Sequence, residues 1–436
     1  MKRSQYNLAQ WLEWMENNHP TEIDLGLARV GQVYRQMQID LTASKIISVA
    51  GTNGKGSTTA LLEAIYLAAG YTTLAYTSPH MLRYNERVRI DANDVTDLLL
   101  IEAFNAIDLA MGEGAARISL SYFEIGTLAA FYLISRQQPN IAILEVGLGG
   151  RLDAVNVLDA DIAVITTLAI DHVDWLGDDI EQIGREKAGI ARSAKPLICG
   201  ELSPPSSIEQ LAADQGIPLS QINQQFAYQQ SSSAEDQTWS WQGLDINNQA
   251  LSYTGLALPC LPVQNAATAL QVIAKLDQPC SLAAINSGLQ NASAIGRLQT
   301  ASYLGSQLIL DVAHNPQSAL HLAKTLKKSG LMARVHLVLG VLIDKDCQGL
   351  IAALTEVCLH WHLVTLDVPR GQTAEQLQKT VLKQGVEKTN TSCYANIEVA
   401  LAGAIQAATD SQGAAQQVVV AGSFVTVGQA LELLEK

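Results

Sequence analysis

Four short apolar runs, "KIISVA", "TLAYTS", "NIAILEVG" and "DIAVITTLA", recur between Lys45 and Ala169, with helical patterns between them. Runs of this length with no polar face suit strands buried on both sides. Their alternation with helices predicts a parallel sheet with helices packed over it. A second alternation begins near residue 300. There "SQLILDVA", "RVHLVLGVL", "WHLVTLDV", "NTSCYA" and "QQVVVAGS" read as strands, and helical patterns follow Asn315, Asp346, Thr373, Asn396 and Val425. With 436 residues the chain is too long for one ordinary core. The expected fold is α/β: an N-terminal domain over 1–294 with a mainly parallel sheet, a hinge over 295–299, and a smaller Rossmann-like α/β domain over 300–436. The hinge falls in "NASAIGRLQT", where small residues and Gly296 suit a bend. The polar, turn-rich stretch "QSSSAEDQTWSWQGLDINNQALSYTG" reads as a peripheral hairpin excursion carrying little chemistry.

The first strand runs into "GTNGKGST" and then a helix expected over Thr58 to Ala69, ended by Gly70. The common phosphate-loop pattern places four residues between its first glycine and Gly-Lys, followed at once by Ser or Thr. Here only Thr52 and Asn53 separate Gly51 from Gly54-Lys55, and Gly56 precedes Ser57 and Thr58. The ingredients of an anion cradle are nevertheless present. Glycines let backbone N–H groups approach a phosphate, the helix N-terminus adds its positive end, and Lys55 adds a charge. The plain alternative is a glycine-rich turn with an exposed lysine.

Three further strands end in residues of the right chemistry, and ligands of open α/β sheets sit beyond carboxyl strand ends. "YTSPHMLRYNERVRI" places Ser78 and His80 after one strand, followed by Arg83, Glu86, Arg87 and Arg89. These arginines suit an anion, although Arg89 equally suits pairing with Glu86 or Asp91. "LEVGLGGRLDAVN" puts Glu145 at a strand tip, and "TTLAIDHVDWLG" offers Asp171 and His172. A hydroxyl, a carboxylate and an imidazole can complete an octahedral magnesium shell shared with phosphate oxygens. A lone histidine is more often a hydrogen-bonded structural residue.

Composition narrows the function classes. A net charge of -14 leaves no basic footprint for nucleic acid or an anionic membrane. The six cysteines form no CxxC pair, which favours reduced thiols over a disulfide framework or zinc site. The opening "MKRSQYNLAQWLEWMENNHP" has no apolar signal-peptide region, and no apolar run reaches about 18 residues. The expectation is a cytoplasmic protein without a membrane partner.

Taken in order, "GTNGKGST", "TSPHMLRYNERVRI", "SYFEIGTLAAF", "EVGLGGRLDAVN", "DHVDWLG…IGREKAGI" and "LDVAHNP" resemble the folate branch of the Mur ligase superfamily, the bacterial bifunctional dihydrofolate synthase/folylpolyglutamate synthases. The resemblance spans nearly the whole chain, and the unusual loop spacing is the superfamily's own. It implies a Mur-ligase-type P-loop ATPase domain with a C-terminal domain closing over the site. By resemblance, Thr52, Asn53, Gly54, Lys55, Gly56, Ser57, Asn265, Arg297 and Asp311 meet ATP, and Ser78, Glu145 and His172 ligate magnesium. Lys187 falls where the family carries a carbamylated lysine, a further metal ligand. Lys55, Lys187 and His314 are the catalytic candidates, His314 being expected at the interdomain cleft. Asp24, Leu25, Gly26, Ser121, Tyr122, Phe123, Glu124, Leu152, Asp153 and Ala154 fall at pterin-contacting positions. From the residues alone, Tyr122 and Phe123 equally suit a core.

The implied reaction is ATP-dependent amide formation through an acyl phosphate. L-glutamate is joined to dihydropteroate and, as further glutamates, to tetrahydrofolates. Two magnesium ions, ATP as co-substrate, a monovalent cation such as K+, and a monomer complete the expectation. A monofunctional folylpolyglutamate synthase, a peptidoglycan Mur ligase and a non-catalytic ATP-binding regulator are the alternatives.

Overall fold

The computed structural model describes residues 3–21, 23–231, 238–410 and 416–435. The part of the polar excursion at 232–237 lies outside the described residues. The chain divides into two compact units, Met1–Ala292 and Ser293–Lys436.

The first unit is built on an eight-stranded sheet. Its strands are β1 (Lys45–Ala50), β2 (Thr73–Tyr76), β3 (Val88–Ile90), β4 (Asn93–Asp94), β5 (Ile141–Glu145), β6 (Ile162–Ile165), β7 (Leu197–Cys199) and β8 (Leu219–Gln221). The order is β4-β3-β2-β5-β1-β6-β7-β8. From β2 to β8 every pairing is parallel, and β3 and β4 add an antiparallel edge. Burial of β2, β5 and β6 along their whole lengths explains why they read as unbroken apolar runs. The helix after β1 covers Lys55–Ala68 and starts earlier than the sequence suggests, because Gly54 at φ 87° serves as its N-cap. Gly70, also at φ 87°, turns the chain out of it. Helix Leu282–Asn291 packs on this helix so tightly that a Cβ at Gly288 would lie 2.5 Å from Ile65 Cα.

A three-stranded antiparallel sheet, β9 (Ala227–Gln230), β10 (Thr238–Leu244) and β11 (Ala250–Ala257), occupies the polar excursion. It is more than a peripheral hairpin. Trp239 and Trp241 are buried, and Trp241 Nε1 donates to Ala267 O at 3.1 Å on helix Val263–Lys275. The indoles bring apolar area to a stretch that is otherwise mostly polar, which is why its composition disguised it.

The second unit carries a six-stranded sheet of β12 (Gln299–Tyr303), β13 (Ser306–Leu310), β14 (Val335–Leu339), β15 (Cys358–Val364), β16 (Thr391–Tyr394) and β17 (Gln417–Ala421), ordered β12-β13-β17-β14-β15-β16. Only the β12–β13 hairpin is antiparallel. Helices Pro316–Lys328, Cys347–Leu354, Ala374–Lys383, Ile397–Asp410 and Phe424–Leu434 connect the strands. One face buries Leu337, Leu339, Trp361 and Leu363 with residues of the first three helices.

The other face holds a polar cluster. His336 Nδ1 and His362 Nε2 are 3.1 Å apart, His362 Nδ1 lies 3.1 Å from Tyr394 Oη, and His360 Nε2 lies 2.9 Å from Ser392 Oγ. Among the described residues no carboxylate pairs with these rings. Burial holds all three imidazoles below their ordinary value, His362 at about 3. Between about pH 3 and 6.5 the unfolded chain therefore binds protons that the folded unit refuses, so stability falls as pH drops below 6.5. The loss approaches about 1.4 kcal/mol per pH unit for each ring that stays neutral. Thermal unfolding at pH 7 and pH 5 should show a lower midpoint at pH 5, with the His362 Cε1 proton keeping its neutral chemical shift until unfolding. Titration of His362 near pH 6.5 in the folded protein would contradict this account.

Candidate functional site

Four neighbouring strands of the first unit deliver their carboxyl ends to one rim. β1 pairs with β5 so that Val49 faces Glu145, and with β6 so that Ala50 faces Ile165; Tyr76 of β2 faces Leu144. Just beyond lie Ser78 (after β2), Glu145 (ending β5), the 51–56 loop (after β1) and Thr166 to His172 (after β6).

The loop is pinned from the β6 side. Thr52 N donates to Thr167 O at 2.7 Å, and the hydroxyls of Thr166 and Thr167 donate to Asn53 O at 2.7 and 3.0 Å. Gly51 is at φ 149°, and a Cβ there would lie 1.9 Å from Thr166 Oγ1, so only glycine fits. A Cβ at Gly54 would come within 2.9 Å of the Asn265 amide, which places buried Asn265 against the loop. Lys55 Nζ folds back to donate to Gly51 O at 3.2 Å and Thr52 O at 3.4 Å. Ser57 is buried in the first turn of the helix. The two threonines were missed in sequence; "ITT" at a strand end was their only signal.

Glu145 is 5% exposed, with Oε2 3.4 Å from Ser78 N and Oε1 3.9 Å from Lys55 Nζ. Gly56 leaves room here, since its Cβ would lie 3.7 Å from Glu145 Oε2. His172, at φ 53°, caps the short helix Val173–Leu176, and Asp171 Oδ1 accepts from His172 N at 2.8 Å. Leu176 is buried against Gly149, where a Cβ would lie 3.1 Å from its Cδ2, which ties this loop to the turn after β5. Among the described residues there is no cluster of three His, Cys, Asp or Glu side chains able to hold a metal. The set that is present fits a hard divalent cation sharing phosphate oxygens: a serine hydroxyl, a buried carboxylate and an imidazole, each beyond the carboxyl end of a strand on the same rim.

Lys187, on helix Ile180–Ala188, is 4% exposed and donates from Nζ to Gly51 O at 3.0 Å. Burial, then the charge of Lys55, brings its pKa down to about 7, against weaker pull from Asp171 and Asp153. A substantial share of its amine is therefore neutral near physiological pH, unlike an ordinary lysine.

The three segments expected at a pterin are joined. Gly26 N donates to Leu152 O at 3.1 Å. Arg29 bridges Asp24 at 2.8 Å and Glu124 at 3.0 Å, and His19 Nε2 lies 3.1 Å from Asp24 Oδ2. "SYFE" is also a capping box for helix Tyr122–Gln137: Ser121 N donates to Glu124 Oε2 at 2.7 Å, and Glu124 N to Ser121 Oγ at 3.3 Å. Tyr122 meets Tyr84 edge-on at 5.4 Å, while Phe123 fills the space a Cβ at Gly147 would need, 2.5 Å from its ring. Both rings are part-exposed. Asp153 is buried, caps the turn Ala154–Val157 and accepts from Leu148 N and Val155 N at 2.9 Å; burial nonetheless lifts its pKa to about 6. Arg89, on β3, pairs with buried Glu63 of the helix after the loop at 2.8 Å, not with Glu86 or Asp91. Glu86 instead accepts from the backbone N–H groups of Met81, Leu82 and Arg83.

Within the second unit, Arg297 and His314 meet on one ring. The Arg297 guanidinium carbon is 5.6 Å from the Phe424 centroid, and the His314 ring is 5.7 Å from it. Asp311 is buried, and accepts from Leu298 N and Ala313 N at 2.9 Å, so it also braces the two segments carrying those residues.

A glycine-turned anion loop on a parallel sheet, with a carboxylate and two lysines at its mouth, defines a P-loop protein of the Mur ligase class. The Mur ligase middle domain matches residues 49–204, and the Mur ligase glutamate ligase domain matches residues 296–424. The chain is 42% identical over 428 residues to a dihydrofolate synthase/folylpolyglutamate synthase of Escherichia coli K12, covering 98% of this chain and 96% of that protein. Among solved structures, E. coli FolC in complex with DHPP and ADP superposes with a TM-score of 0.89 at 40% identity, covering 100% and 99% of the two chains. A bifunctional folylpolyglutamate synthase/dihydrofolate synthase with Mn, AMPPNP and L-glutamate bound gives a TM-score of 0.87 at 41% identity, covering 99% of each. The chain belongs to the dihydrofolate synthase/folylpolyglutamate synthase family.

Glu145 is the acid common to the Lys55 and Ser78 contacts, so removing its charge should weaken divalent-metal use above all. Glu145→Gln should raise the metal concentration for half-maximal activity by about tenfold or more, with the fold intact by circular dichroism. An unchanged metal requirement would make Glu145 a structural partner of Lys55.

Proposed function

We propose that the rim residues divide the work of one ligation. The enzyme is an ATP-dependent ligase that joins L-glutamate to dihydropteroate and extends reduced folates by further glutamates. The observation that carries the assignment is the convergence of Lys55, Lys187 and Glu145 on the glycine-rich 51–56 loop at the start of a helix.

The acid's carboxylate oxygen attacks the γ-phosphorus of ATP. ADP leaves, and the acyl phosphate carries a leaving group the free acid lacks. The chain's part in this step is positioning and charge neutralisation. Thr52, Asn53, Gly54, Gly56 and Ser57 hold the phosphates, and Lys55 places its charge beside them. Asn265 closes the loop from helix Val263–Lys275. Ser78, Glu145 and His172 would hold a divalent cation, which when bound offsets phosphate charge and orients the γ-phosphate. The glutamate amine then attacks the acyl carbon and phosphate departs. Asp24, Leu25, Gly26, Ser121, Tyr122, Phe123, Glu124, Leu152, Asp153 and Ala154 are assigned to the pterin end. Their joined segments support that, and the two part-exposed rings suit an aromatic substrate.

Arg297 and Asp311 are assigned to ATP, and His314 is kept as a catalytic candidate. Magnesium as the metal, two ions of it, a K+ requirement, tetrahydrofolates as acceptors, a monomer and a cytoplasmic setting belong to the same proposal. Among the described residues no helix is long and apolar enough to cross a membrane.

Lys187 is assigned a carbamate. Its buried amine, with a pKa brought down to about 7, suits reaction with carbon dioxide, and a carbamate would supply oxygen ligands where an ammonium would repel the metal. ADP release should require both dihydropteroate and L-glutamate for full rate; release indifferent to the acid would overturn the ligase assignment. Lys187→Ala should lose most activity, and acetate or formate should restore part of it. The parent incubated with ¹³C-bicarbonate should show a carbamate carbon resonance that the variant lacks. Full activity in Lys187→Arg would leave Lys187 an ordinary cation.

A further inference from the structure

The loop after β2 carries a histidine whose proton is fixed by its neighbour. Arg87 Nε donates to His80 Nδ1 at 2.9 Å. A guanidinium has donors only and stays protonated in proteins. Nδ1 must therefore present its lone pair, and in the neutral ring the proton sits on Nε2. Arg87 is itself immobilised: it is 8% exposed, with its guanidinium carbon 5.2 Å from the Tyr84 centroid and 5.3 Å from that of Tyr122. The His80 ring packs 5.7 Å from Tyr84. Glu86 fixes the intervening turn by accepting from Met81 N at 2.7 Å and Leu82 N at 2.8 Å. Among the described residues no group accepts from His80 Nε2, and the ring is part-exposed.

The location gives this donor a target. His80 follows Ser78, whose N–H reaches Glu145 on the metal side of the rim. Through Arg87 it is joined to Tyr122, at the start of the helix assigned to the pterin. A carboxyl group linking the aromatic end of the acid to the γ-phosphate belongs between those two sides.

Resting on the ligase reading above, we propose that His80 is a catalytic residue of the second half-reaction, a neutral Nε2–H donor to the carbonyl oxygen of the acyl phosphate. Arg87 is the positioning residue that fixes its tautomer. As the glutamate amine's lone pair forms the C–N bond, the carbonyl π pair moves onto that oxygen, where the fixed N–H stabilises the growing charge. On collapse the pair re-forms C=O, the bond from carbon to the phosphate oxygen breaks with its electrons leaving on phosphate, and the ammonium proton passes to water. His80 gives a hydrogen bond and keeps its proton. It cannot serve as the base for the amine, since Arg87 occupies the one nitrogen lone pair.

The test compares His80→Phe and His80→Gln with the parent, using ATP, dihydropteroate and L-glutamate. His80→Phe keeps the ring volume but no donor and should lower kcat by about 10²–10³-fold, with AMPPNP affinity at the parent value. His80→Gln restores an N–H and should recover most of that loss. In the parent labelled with ¹⁵N-histidine, long-range proton–nitrogen spectra should show Nε2 protonated and Nδ1 bare. Parent-like kcat in His80→Phe, a Gln variant as slow as the Phe variant, or a proton on Nδ1 would each overturn the proposal. If His80→Phe loses AMPPNP binding through misfolding, the Gln variant and the parent spectrum decide. A parent that does not turn over at all overturns the ligase reading instead, so the two failures are distinct.

Discussion

The carbonyl oxygen of Gly51 accepts from two lysines, Lys55 at 3.2 Å and Lys187 at 3.0 Å, and much of the first unit follows from that meeting. Two ammonium groups converging on one oxygen in a buried setting repel each other and lose hydration. The chain relieves this in two ways. Glu145 stands 3.9 Å from Lys55, and Lys187 gives up much of its charge, with a pKa near 7 caused first by burial and then by Lys55. Two lysines at the loop place local positive charge there, which favours an anionic ligand despite a net charge of -14.

The meeting requires a particular backbone. Gly51 has to occupy positive φ beneath Thr166, and Gly54 has to start the helix beside Asn265. Thr166 and Thr167 fasten Asn53 from the neighbouring strand, so the loop is set by β6 as much as by its own residues. Parallel pairing is what brings β6, β1, β5 and β2 to a common edge. A serine at 78, a carboxylate at 145 and a histidine at 172 can then share one rim.

Several residues near the site serve two ends. Ser121 and Glu124 cap a helix and lie in the segment assigned to the pterin, while Glu124 also holds Arg29, which holds Asp24. Asp311 braces the backbone on both sides of the Arg297–Phe424–His314 group in the same manner. Such residues make the site rigid, and truncating them disturbs placement as well as contact.

The strands were legible in sequence because strands buried on both faces have no polar face to interrupt them, and "KIISVA" or "NIAILEVG" admits little else. The anion loop was legible because glycines at positive φ and a lysine have few other uses between a strand and a helix. The sequence also held Glu145, Ser78 and His172 as candidates, since strand ends are where open α/β sheets bind. What it could not show was pairing over distance. Nothing near Arg89 marks Glu63 as its partner, and nothing in a polar, turn-rich stretch marks Trp241 as buried against Ala267. The lowered pKa of Lys187 depends on how deeply a helix over a hundred residues downstream is packed against the loop. The tautomer of His80 depends on the far side of a turn held by Glu86. Propensity and periodicity are local, whereas desolvation and proton placement are properties of what surrounds a group, and only the tertiary structure supplies those surroundings.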